Sequence, residues 1–128
     1  MAKKPSEWKA LLIALLQEAN TSTHLAALKW LSTHMDEYLE RFSGFVELGT
    51  VPIGKIVESH LFVIVRVAID VIEQQLLEEP QINSSIQKQW SEFKNAVSWM
   101  QMNQDSSDIR LILDTYYRFK ISLLALKE

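Results

Sequence analysis

The chain is predicted to fold as an all-α bundle, and two stretches near its C-terminus carry most of that prediction. From Ile86 the apolar residues recur at Ile86, Trp90, Phe93, Val97 and Met100, a 4-3-4-3 spacing. From Ile109 they recur at Ile109, Ile112, Tyr116, Phe119, Leu123 and Leu126, a 3-4-3-4-3 spacing. A helix gathers each set on one face, whereas a strand would divide it between two. The third observation is sparse punctuation: three Gly and three Pro in 128 residues favour long elements over many short ones. The expected architecture is an antiparallel bundle of four long helices plus a shorter N-terminal helix, about five in all. It occupies a single domain over residues 1–128, with a flexible basic tail at 1–5.

Each element has its own warrant. Helix 1 is expected over about Ser6–Ala19, with Trp8, Leu12, Leu15, Leu16 and Ala19 on one face. Lys3 and Lys4 followed by the apolar run Ala10–Leu16 have the order of a secretory leader. That run is short, however, and Pro5, Glu7 and Lys9 interrupt its approach, so a first bundle helix is expected. Asn20–Thr23 is a run of turn and cap formers, with Thr21 or Ser22 expected to cap helix 2. Helix 2, about Thr23–Phe42, carries the stripe Leu25, Leu28, Leu31, Met35, Leu39 and Phe42. Ser43-Gly44 is expected to end it. Residues 45–54 are read as a loop packing Phe45, Val46 and Leu48 under the bundle, and Pro52 as the opening of helix 3.

Helix 3, about Ile53–Leu77, is the most apolar segment, and its Val and Ile content raises a strand alternative. At 100° per residue, Lys55, Glu58, Ser59, Arg66, Asp70, Glu73 and Gln74 share one sector of roughly 160°, which a strand would scatter over both faces. A nearly central helix with one wet edge is therefore expected. Ser84 or Ser85 is expected to cap helix 4, and Asp105 or Ser106 helix 5. Helix 5 has an unusually wide apolar sector, because Leu113, Tyr117 and Leu124 extend its seam. It either sits deep in the bundle or lends an edge to a second subunit. Its Arg110, Asp114 and Arg118 are spaced for an ion-pair ladder.

Composition narrows function more by exclusion than by assertion. Cysteine is absent, which removes disulfides, thiolate nucleophiles and cysteine zinc sites and fits a reducing, cytoplasmic setting. The net charge is -3 and the basic residues are scattered, so no phosphate-binding face is expected and nucleic acid is not an expected partner. No apolar run approaches the roughly 20 residues of a membrane span.

The three histidines are His24, His34 and His60, and no Glu has a His three residues later, as carboxylate-bridged metal bundles require. No Gly-x-Ser-x-Gly elbow or Gly-rich phosphate loop is present. The segment His24-Leu25-Ala26-Ala27-Leu28-Lys29 pairs a His with a nearby Lys, as phosphotransfer helices do. Trp30 and Leu31 follow where small residues would be needed. No catalytic residue, metal ligand or cofactor is assigned.

What remains is aromatic. Trp30 lies roughly 160° from the centre of the helix 2 stripe, beside His34, Glu37 and Arg41. Trp99 lies opposite the helix 4 seam, near Met102. Tryptophan is enriched at binding hot spots. These six residues are the candidate partner-binding positions of a non-enzymatic interaction module: an adaptor, regulator or small subunit binding a protein or a second copy of itself. The alternative is a small-ligand or metal-binding bundle using His34, Glu37 or His60, with a catalytic role. A weaker third reading is membrane-surface attachment through Lys3, Lys4 and helix 1.

Overall fold

The computed structural model describes residues 4–47, 60–102 and 109–127; the side chains of 42–47 and 60–62 lie outside that description. Within these limits the chain is all-α. The elements are α1 (Pro5–Glu18), α2 (His24–Glu47), α3 (His60–Glu78), α4 (Ser84–Met102) and α5 (Arg110–Leu124). No strand occurs among the described residues, and α3, where a strand was the alternative, is helical throughout.

Local chemistry sets the ends. Pro5 occupies the first helical position of α1, where its missing N–H costs nothing. Asn20 follows the last turn at φ 51°, a left-handed conformation that asparagine tolerates. Thr23, and neither Thr21 nor Ser22, caps α2: its Oγ1 accepts the N–H of Ala26 at 2.9 Å. Asn83, and neither Ser84 nor Ser85, caps α4 by accepting from Ile86 at 2.9 Å. At α5 the cap position is Ile109, which has no side-chain acceptor; residues 105 and 106 lie outside the described residues.

Helix α2 does not stop at Ser43-Gly44 but continues to Glu47. A mid-helix glycine costs only about 1 kcal/mol, and the turns on either side carry the helix through it. The expected loop at 45–54 is thus helical over its first three residues. Its remainder lies outside the described residues, as do Pro52, residues 53–59 of the expected third helix, and Lys3. Pro80 ends α3 by driving Glu79 from helical geometry.

Buried side chains from all five helices form one apolar cluster. The α4–α5 pair is its densest part. Phe93 meets Tyr116 and Trp90 meets Phe119, each with ring centroids 4.8 Å apart. Moving back along α4 means moving forward along α5, so the two run antiparallel. The α3–α4 hairpin is clasped by Glu73, which accepts from Trp90 Nε1 at 3.2 Å and pairs with Lys94. Helix α2 is tied to α5 by Tyr116, whose hydroxyl donates to the Ser32 carbonyl at 2.6 Å. Lys120 paired with Asp36 adds a second tie.

Helix α1 is peripheral. It packs against α3 and α2 with Leu12 buried and Trp8, Leu15 and Leu16 half-buried, while Ala19 faces solvent. The wet edge of α3 is as expected over its described part: Arg66, Asp70 and Gln74 are exposed, and Val65, Ala68, Ile69 and Ile72 are buried. No described helix is long and apolar enough to cross a membrane.

Candidate functional site

Four of the six candidate residues lie on the outer face of α2, where the helical repeat brings positions four apart together. The Trp30 and His34 rings stack at 4.8 Å and 10°, and the His34 ring meets Tyr38 edge-on at 5.0 Å. His34 Nε2 also lies 2.9 Å from the Tyr38 hydroxyl, a hydrogen bond whose direction follows the imidazole tautomer. His34 Nδ1 is 3.8 Å from Glu37 Oε2, beyond hydrogen-bond distance. The result is a ladder of Trp30, His34 and Tyr38 along one side of the helix. Trp30 is half-buried and packs on the core cluster, while Glu37 and Arg41 are exposed.

Tyr38 completes the ladder and was not among the sequence-predicted positions. Its place four residues after His34 was the signal. Its phenol pKa is raised, first by burial and then by the Glu37 carboxylate, with Arg41 pulling the other way.

The other two candidates are on α4. Trp99 is 41% exposed and Met102 is 77% exposed. They are one turn apart, on the side away from the buried Trp90–Phe93–Val97–Met100 seam. The structure therefore forms two groups, one on α2 and one on α4, and does not gather the six into one site. Helix α5 packs against both carrying helices.

That helix carries what the site assignment left out. Its wide apolar sector is not explained by depth in the bundle. Leu111, Tyr117, Ile121 and Leu124 are all exposed, four of the nine large apolar side chains so placed among the described residues. Tyr117, Ile121 and Leu124 follow a 4-3 spacing and form a continuous outward band.

A groove runs along each flank of α5. Toward α4, Glu92, Asn95, Leu111, Thr115 and Arg118 line an open groove of about 420 Å³. Toward α2, Asp36, Leu39, Glu40, Leu113, Asp114 and the two tyrosines 116 and 117 line a smaller cleft of about 290 Å³. Lys120 reaches to the rim of that cleft, bonding Asp36 with its ammonium 6.0 Å from the Tyr117 ring centroid.

The remaining histidine with a described side chain has a structural contact. His24 Nδ1 lies 3.0 Å from Glu79 Oε2; because a carboxylate only accepts, Nδ1–H is the donor. Glu79 is buried, and its other oxygen accepts from the Gln81 N–H at 3.3 Å. This clasp closes the start of α2 onto the end of α3. The side chain of His60 lies outside the described residues. Among the described residues no group of three or more His, Asp or Glu is arranged to hold a metal ion. No protein-family model, curated protein or solved structure matches the chain.

Proposed function

We propose that the chain is a non-enzymatic protein–protein interaction module, an adaptor, regulator or small subunit working in the cytoplasm. In this reading it presents the outer face of α5, with Trp99 and Met102 of α4 beside it, to a protein partner or a second copy of itself. The observation that carries the reading is the α5 band, with Tyr117 60% and Ile121 48% exposed. Contiguous apolar side chains in water are costly and characteristically mark surfaces that become covered. Trp30, His34, Glu37 and Arg41 form a second, more polar candidate contact on α2. Its exposed members are the charged pair, and its aromatic rings are largely engaged with one another.

The test combines solution mass with four substitutions. Trp99→Ala and Tyr117→Ser should leave the fold intact and abolish association, whether with a partner or with itself. Trp30→Ala should cost more stability than Trp99→Ala, because Trp30 is packed on the core. If Ile121→Ser and Trp99→Ala both cost several kcal/mol, as buried truncations do, these side chains are core and the interaction face loses its basis.

A further inference from the structure

Resting on the reading of α5 as a docking face, we infer that the face takes an amphipathic helix carrying a lysine or arginine, whose cation enters the cleft between α2 and α5. The shape argument starts from the spacing. Tyr117, Ile121 and Leu124 stand 4 and 3 residues apart on one side of a helix, which matches the ridges of another helix. No sheet edge exists among the described residues for an extended strand to join.

The charge argument comes from the adjoining cleft. Its lining includes three carboxylates, Asp36, Glu40 and Asp114, together with Leu39 and Tyr117, and the one cation among the described residues that reaches it is Lys120, which is spent on Asp36. One ammonium already shows how a cation sits there, since Lys120 reaches in from the rim to bond Asp36 beside the Tyr117 ring. Glu40 and Asp114 remain to receive a second cation, and the exposed ring offers it a face.

A second copy of the chain fits this face less well. Two α5 helices packed antiparallel about a two-fold axis set one acidic edge against the other.

The experiment is a selection from a random library of helix-forming peptides displayed against the full chain. Each enriched peptide is then titrated against wild type, the double variant Glu40→Gln/Asp114→Asn and the single variant Ile121→Ser. Expected are peptides with a basic residue beside apolar positions. Their affinity should fall by about tenfold or more with the double variant, the loss of a charge-assisted contact, and fall likewise with Ile121→Ser.

Acidic or purely apolar peptides that respond to Ile121→Ser but not to the double variant would overturn the basic-partner inference while keeping the docking face. Enriched peptides indifferent to every variant, or none enriched at all, would overturn both. Self-association in sedimentation that is lost with Ile121→Ser and unaffected by the double variant would assign the face to a second copy and overturn the inference.

Discussion

Replacing Tyr116 with Phe tests the tie between α5 and α2 in two independent ways. The hydroxyl is fully enclosed and donates to the Ser32 carbonyl at 2.6 Å. That carbonyl lies inside α2 and keeps its helical N–H donor, so the variant orphans nothing. The cost is then the net value of one neutral hydrogen bond, about 1 kcal/mol near pH 7.

The pH dependence gives the second readout. Burial raises the Tyr116 pKa well above its ordinary value, with the Asp36 carboxylate adding and the Ser32 side chain opposing. A group whose folded pKa is raised contributes fully below its unfolded pKa and loses that contribution as pH climbs past it. The unfolded phenol ionises at about 10, so wild type should lose up to about 1.4 kcal/mol per pH unit above that point while Tyr116→Phe does not. The stability difference of about 1 kcal/mol should therefore shrink above pH 10 and cross zero near pH 11. Urea unfolding followed by far-ultraviolet dichroism from pH 7 to 11.5 measures it, because the lysines titrate in both chains. A difference that stays flat across this range would refute the buried, protonated hydroxyl.

Three further substitutions probe the same framework. Phe93→Ala removes a ring packed between Trp90 and Tyr116 and should cost about 3–5 kcal/mol in chemical denaturation. Glu73→Gln should cost under about 1 kcal/mol, because the side chain is over a third exposed and solvent screens its pairing with Lys94. That pairing lowers the Glu73 pKa, so its contribution is present above the ordinary carboxylate range and disappears as pH falls through the folded value. The two chains should converge once the pH has fallen below that folded value. His24→Ala strands the buried Glu79 carboxylate and should lower stability by about 1–3 kcal/mol, with Glu79→Gln in the same chain restoring part of the loss. A thermal-shift series reads wild type, His24→Ala, Glu79→Gln and the double variant, and additive losses would disprove the clasp.

The helices and seams were legible because periodicity integrates over many residues. Ile86 to Met100 and Ile109 to Leu123 are buried where the spacing placed them. The caps were less legible for a chemical reason. Thr21, Ser22 and Thr23 offer equivalent hydroxyls, and only backbone geometry fixed by the neighbouring helices decides which one accepts. Gly44 misled because glycine both ends helices and is tolerated within them.

The tryptophans show the limit most clearly. The helical wheel set Trp30 and Trp99 equally far from their seams, yet Trp30 is half-buried and packs on the core while Trp99 is exposed. A wheel records direction from one axis and knows nothing of what lies in that direction. For the same reason the breadth of the α5 apolar sector was visible, whereas which part of it stayed uncovered was not.

The uncovered part has no explanation among the described residues of the bundle. Lysine and glutamate form helices as well as leucine does, and better than isoleucine or tyrosine, so helix formation does not require Tyr117, Ile121 and Leu124. Nor does core packing require them, because Ile112, Tyr116, Phe119 and Leu123 already supply the buried side of α5. If burial by a partner is what these residues serve, replacing Ile121 and Leu124 together by lysine should change the stability of the isolated chain by no more than about 1 kcal/mol. It should also raise solubility at high concentration, since the removed surface is apolar. Equilibrium unfolding of the double variant decides the matter. A loss of several kcal/mol would mean that the band is held against the chain's own surface, and the docking face would have to be sought on α2, around Glu37 and Arg41.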